Sequence, residues 1–65
     1  MEFAKNLKEL RLVNKFTQIE LSKKVGVNQS SYSDWERGVS RPEYETLVLL
    51  ADIFDVSVDE LFGRK

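Results

Sequence analysis

Apolar residues fall at Phe3, Leu7 and Leu10, with Val13 or Asn14 next in step and Lys5, Lys8, Glu9 and Arg11 between them. Steps of four and three residues put the apolar side chains on one face, which predicts a helix over residues 2–13. The next start signal is Thr17-Gln18-Ile19-Glu20. A Thr hydroxyl and a Glu carboxylate three residues apart can each satisfy a backbone N–H of a first turn, so a second helix is predicted over residues 18–24. Gly26, which tolerates positive φ, ends it, and Asn28 is the capping candidate for the next helix. That third helix, over residues 29–37, carries Tyr32 and Trp35 on one face, with Gln29, Ser30, Ser33, Asp34 and Arg37 around the others. Gly38 is its natural stop. Pro42 biases Arg41 away from helical dihedrals, which makes Ser40-Arg41-Pro42 a loop. Leu47, Leu50, Ala51 and Phe54 form the core stripe of a fourth helix over residues 44–54. Ser57-Val58-Asp59-Glu60 repeats the capping pattern and opens a short fifth helix through Leu61 and Phe62, closed by Gly63. With no strand signal, repeat or low-complexity segment, the reading is an all-α single domain over residues 1–65.

Composition narrows the chemistry more than the fold. Neither Cys nor His occurs, which excludes a disulfide framework, a Cys/His zinc site, a thiol nucleophile and a histidine general base. No nucleophile–base pair or metal cluster remains, so an enzyme is not expected, nor a cofactor or small-molecule ligand. The longest uncharged apolar run, residues 46–51, is far short of the roughly 20 residues a bilayer crossing needs. Met1 opens directly onto a charged amphipathic stretch, and the expectation is a soluble, cytoplasmic protein without a membrane partner. Formal net charge is only −1, but its distribution is uneven. Residues 1–41 hold eight Lys and Arg against five Asp and Glu, whereas residues 42–65 hold two against six. Such asymmetry suits one face turned to a polyanion and another kept away from it, although solvated charge on an ordinary surface produces it too.

Two short helices joined by a tight Gly-containing turn allow one helix to enter a groove while the other crosses a backbone. Leu21, Val25, Val27, Tyr32 and Trp35 stand where the two must meet each other and the core. Ser22 and Gly26 stand where small or permissive residues let the backbones approach. Any helical hairpin shares these requirements, so pattern alone leaves both readings open.

The run TQIELSKKVGVNQSSYSDWERGVSRPEYETLVLLADIFDVSVDELF, extended back through LKELR, resembles the Cro/CI-type helix-turn-helix family, also called the XRE family. The resemblance implies a compact five-helix bundle of the lambda-repressor-like type, in which the third helix reads the DNA major groove. It also implies a sequence-specific transcriptional regulator, a repressor by preference, that binds a double-stranded operator as a homodimer. By position it assigns Gln29, Ser30 and Asp34 to base edges, where a Gln amide can pair bidentately with adenine. Thr17, Gln18, Asn28, Ser31, Arg37, Ser40 and Arg41 fall at positions that hold the sugar-phosphate backbone through side chains and exposed backbone N–H groups. Gln18 is further expected to brace Gln29. Arg11 and Glu36 match an ion pair tying the first helix to the third, and Val56, Val58, Leu61 and Phe62 are the dimer-contact candidates, with a place in the core as the other reading for each. Leu12, Val13, Ile19 and Leu49 are apolar beyond what the core stripes require.

Three positions depart from the family pattern. Asp34 puts a carboxylate where basic or amide side chains are common, tolerable if it accepts from cytosine or braces Arg37. Lys15 replaces a frequent glycine, so Asn14 is expected to supply the left-handed residue. Val39 stands where a basic residue is frequent, removing one phosphate contact. Asp34 and the net negative charge also favour an alternative function, a protein-interaction module such as an antitoxin or anti-repressor partner.

Overall fold

The computed structural model describes residues 2–63. Five helices succeed one another: α1 Glu2–Val13, α2 Gln18–Val25, α3 Gln29–Arg37, α4 Tyr44–Phe54 and α5 Val58–Leu61. All five occur where the apolar periodicity and caps place them. α2 runs one residue further than expected, through Val25, and α5 stops one residue earlier, with Phe62 as its cap.

The helix starts are set by side chains. At Thr17 and at Ser57 the hydroxyl accepts the backbone N–H three residues on, while Glu20 and Glu60 reach back to the cap N–H. Asn28 Oδ1 accepts from Ser31 N at 2.8 Å and starts α3. Each interaction satisfies backbone donors that a helix leaves without intrahelical partners.

The helix ends repeat one geometry four times. After α1, Phe16 N donates to Arg11 O and Lys15 N to Leu12 O, both at 3.0 Å. The same double closure joins Val27 to Ser22, Val39 to Asp34 and Val56 to Ala51. It requires a left-handed residue just before the outer donor. Gly26 and Gly38 fill that position after α2 and α3, but Lys15 (φ 63°) and Asp55 (φ 58°) fill it after α1 and α4. The expected left-handed Asn14 is therefore corrected to Lys15. Asn14 continues the helical hydrogen bonding to Leu10, through both its backbone N and its side-chain amide. Gly26 takes the positive φ expected of it (+78°), and since a Cβ there would meet nothing within 4 Å, conformation and not close approach calls for glycine. Gly63 combines both demands, since a Cβ would lie 2.7 Å from Asn6 Nδ2.

The core collects Phe3 and Leu7 from α1, Leu21 from α2, Tyr32 and Trp35 from α3, Leu47, Leu50, Ala51 and Phe54 from α4, and Leu61 from α5. α3 packs on α1 and α2, α4 reaches α2, and α5 closes against α1 and α4. Ser22 is buried and donates its hydroxyl to Ile19 O at 2.8 Å, so a small polar residue fits there without an orphaned group. Leu12, Val13, Ile19 and Leu49 are exposed, as their excess over the stripes anticipates, and Val39 and Tyr44 join them. None of the described helices is long and apolar enough to cross a membrane.

Leu61 corrects the partner surface. It is fully buried in its own chain's core, so its side chain serves α5 docking. Phe62 is half-buried, with its ring centroid 5.3 Å from that of Phe3. Val56 and Val58 are half-buried against the same core.

Candidate functional site

α3 is built with two unlike sides. Tyr32 and Trp35, three residues apart, turn inward as an edge-to-face pair at 5.5 Å and are 0% and 6% exposed. With the inner face committed to the core, the polar residues are forced outward. Gln29, Ser30, Ser33, Asp34 and Arg37 line a shallow, open concavity of about 280 Å³. The structure thus brings together all three expected base-edge residues and Arg37. Ser33 lines the same concavity without being among the expected site residues, although it lies four residues from both Gln29 and Arg37 and so shares their face.

Asp34 has a resident counterion. Arg37 Nη1 donates to Asp34 Oδ1 at 3.1 Å, one helical turn along. The carboxylate on the outer face is therefore offset locally, though both side chains are substantially exposed and the pair is weakly held.

The remaining expected residues spread around the same end of the molecule. Thr17 and Asn28 are exposed and cap α2 and α3, so their oxygens are already accepting from the backbone. The Thr17 hydroxyl hydrogen and the Asn28 NH₂ group are what each has left to donate outward. Ser31 is half-buried and takes no part in lining the concavity. Ser40 is exposed, but its backbone N–H turns back to Asp34 O at 3.4 Å, and Val39 N meets the same oxygen at 2.9 Å. These two N–H groups are engaged with the end of α3, which leaves the hydroxyl as the outward group of Ser40. Arg41 is exposed and its guanidinium carbon lies 5.9 Å from the Phe62 ring centroid, toward the end of α5.

Behind this face sits a buried charge cluster. The Glu36 carboxylate accepts from Arg11 Nε at 2.7 Å, Arg11 Nη2 at 3.2 Å, Gln18 Nε2 at 3.0 Å and the Tyr32 hydroxyl at 2.5 Å. The Arg11 and Glu36 side chains are 11% and 4% exposed. Arg11 also donates to Phe16 O at 3.0 Å, so one guanidinium ties α1 to α3 and to the turn before α2. Burial alone would raise the Glu36 pKa, but the hydrogen bonds from Arg11, Tyr32 and Gln18 and the Arg11 charge hold it below its ordinary value. The hydrogen bonds to Glu36 hold Arg11 above its ordinary value against burial, and burial followed by the Glu36 contact pushes the Tyr32 phenol up. The expected Arg11–Glu36 pair is present. The Tyr32 and Gln18 bonds go beyond the sequence reading; a tyrosine at a core position four residues before a glutamate is the available signal for the first.

Gln18 also touches the outer face. Its Oε1 accepts from Gln29 Nε2 at 3.4 Å, the bracing contact expected of it.

A helix-turn-helix family model matches residues 7–61, a span containing α2, α3 and the whole buried cluster. Among curated proteins, the chain is 38% identical over 61 residues to the uncharacterized HTH-type transcriptional regulator YobD of Bacillus subtilis (strain 168). The match covers 94% of this chain and 54% of that protein. It is 39% identical over 54 residues to the cryptic phage CTXphi transcriptional repressor RstR of Vibrio cholerae serotype O1, covering 83% of this chain and 47% of the other. The chain spans about half the length of the curated relatives it matches. Among solved structures, the P22 c2 repressor in complex with a synthetic operator superposes with a TM-score of 0.90 at 29% identity, covering 100% of this chain and 98% of that one.

Proposed function

The chain belongs to the helix-turn-helix family, and from that premise we propose that it binds double-stranded DNA sequence-specifically and regulates transcription, as a repressor. One observation carries the reading. The whole outer face of α3 is polar and lines one concavity, held rigid by an inner face of buried aromatic residues. A rigid helix presenting short polar side chains is what major-groove readout requires. Similarity to a repressor whose solved structure contains its operator supports the same reading.

In this reading Gln29, Ser30 and Asp34 address base edges. Ser33 joins them from the same face. Thr17, Gln18, Asn28, Arg37, Ser40 and Arg41 hold phosphates and fix register without sequence preference. One recognition helix reads only a few base pairs, so two copies on half-sites about one DNA turn apart are expected, with Val56, Val58 and Phe62 as contact candidates.

Selection from a random double-stranded DNA pool, followed by mobility shifts at two salt concentrations, tests the function. Enrichment of one sequence, with affinity falling as salt rises, is expected. Recovery of no preferred sequence, with binding indifferent to salt, would remove the DNA reading altogether. Within the preferred operator, Gln29→Ala weakens binding by about 1–3 kcal/mol and relaxes selectivity at one base pair, whereas Arg41→Ala weakens every sequence alike. Equal loss of selectivity from both substitutions would overturn this division of roles.

A further inference from the structure

Two hydrogen bonds form a line from the interior to the reading face: Gln18 Nε2 to Glu36 Oε1, and Gln29 Nε2 to Gln18 Oε1. We propose that buried Glu36 is a specificity-positioning residue, which through Gln18 fixes the order in which the Gln29 amide presents its oxygen and nitrogen to a base. The inference rests on the DNA-reading function proposed above and assigns part of its selectivity to a side chain that touches no DNA.

The chemistry is directional. An ionised carboxylate can only accept hydrogen bonds, and Glu36 stays ionised because Arg11 engages it through two nitrogens. Gln18 must therefore turn its NH₂ group inward. Its oxygen is then the atom that points toward Gln29. Gln29 answers with a donor, which leaves its own Oε1 and its second N–H to meet a base edge in one defined order. Adenine presents a donor at N6 beside an acceptor at N7, so an amide matches it bidentately only in the right order. A reversed amide sets donor against donor and acceptor against acceptor. It would instead favour a base with an acceptor where adenine has N6, such as the O6 of guanine.

Glu36→Gln inverts the first link. Arg11 Nε and the Tyr32 hydroxyl both donate to Oε2, so the oxygen of the substituted amide takes that position. Its NH₂ group takes the Oε1 position, giving up the bond from Arg11 Nη2, and faces Gln18. Gln18 then turns its oxygen inward, and Gln29 reverses in response. The substitution changes no surface atom of α3, which separates this effect from the loss of a direct contact.

The experiment measures affinities of the parent protein, Glu36→Gln and Gln18→Met for the selected operator and for single-base-pair variants of it, at a temperature where each is folded. The same three proteins without DNA are compared by the side-chain amide resonances of Gln29. For Glu36→Gln, the preference at one base pair falls by roughly tenfold to a hundredfold, the range of one bidentate contact. Preferences elsewhere are kept. Gln18→Met leaves the Arg11–Glu36 pair intact, so it remains available should Glu36→Gln fail to fold; it erases the preference at that base pair without inverting it. In both variants the Gln29 amide resonances move. A Glu36→Gln protein that weakens all operators equally, with Gln29 resonances unmoved, would show Glu36 to be structural only, and the relay would be wrong while DNA reading stood. A parent protein that selects no sequence would overturn the functional reading itself, and the relay with it as a determinant of specificity.

Discussion

Arg11→Met tests the buried cluster most directly. The substitution keeps an unbranched side chain of similar reach, but removes both charged hydrogen bonds to Glu36 and the one to Phe16 O. Glu36 is left as a carboxylate 4% exposed, with only Tyr32 and Gln18 to solvate it. Breaking one partner out of a buried ion pair costs about 3–5 kcal/mol, because the remaining charge is uncompensated. Arg11 keeps an edge near solvent, so the low end, about 3 kcal/mol, is expected. A domain of this length is stable by roughly 3–10 kcal/mol, which makes that a third of the total or more. Urea unfolding followed by Trp35 fluorescence reads it. At a slope near 1 kcal/mol per molar, the midpoint falls by about 3 M.

Acid supplies the discriminating control. In the parent the Glu36 pKa is depressed, so its contribution is complete above the ordinary value of 4.5 and is lost as pH falls through the depressed value. In Arg11→Met, burial is opposed only by the two neutral donors, and the carboxyl takes up its proton at higher pH. The stability gap between the proteins therefore narrows from pH 7 to pH 3. Other carboxylates titrate in both proteins and cancel in the difference. A gap below about 1 kcal/mol at neutral pH, or one unchanged on acidification, would refute the assignment of a buried, Arg11-dependent charge.

Other expectations concern single residues. Lys15→Gly relieves a left-handed non-glycine at the end of α1, and after the entropy cost of glycine should gain roughly 0.5–1 kcal/mol, seen as a raised thermal midpoint; an unchanged or lowered midpoint would count against strain there. Leu61→Ala should cost about 2–5 kcal/mol in urea without altering oligomeric state in sedimentation, since the side chain lies wholly in its own core; near-parental stability with weakened self-association would return Leu61 to a partner contact. Asp34→Asn removes an exposed ion pair worth less than about 1 kcal/mol and releases Arg37, so stability stays close to parental while DNA affinity at low salt rises. Preference at the base pair that Asp34 addresses falls at the same time, and selectivity unchanged at every base pair would remove Asp34 from the readers.

What is legible in the sequence divides by range. The caps at Thr17, Asn28 and Ser57 act within three residues, and the α1 and α4 stripes within one or two turns, so the chain's own order displays them. After α1, residue type points to Asn14 as the left-handed position, but a geometric requirement overrides type. Phe16 must reach the core, where its ring meets Phe54 at 6.3 Å, and its N–H closes on Arg11 O. The position before Phe16 is then left-handed whatever occupies it, and Lys15 carries the strain. Leu61 is ambiguous in sequence because α5 spans four residues, too few for a stripe to separate core from partner surface. Glu36 meets Arg11 across 25 residues and Gln18 across 18. No local spacing encodes those meetings; family resemblance supplies the first, and the second needs coordinates.

The charge on α3 links these local facts to the proposed function. Asp34 and Glu36 give the helix two carboxylates against one arginine of its own, an unfavourable balance for an element meant to approach phosphates. Glu36 is neutralised by Arg11 of α1, deep enough that neither charge projects far. Asp34 is offset by Arg37, so in the proposed complex that cation would meet its phosphate while paired to a carboxylate. Long-range attraction is then left largely to exposed lysines such as Lys15 and Lys23, which attract without fixing position. On the proposed reading, a single domain arranged this way would bind any DNA weakly, and its discrimination would depend on a few short polar side chains at Gln29, Ser30, Ser33 and Asp34. Two such domains joined on one operator multiply both quantities. The proposal of a second copy thus has a reason already present in one helix, whose proposed reading face is varied in chemistry but poor in charge.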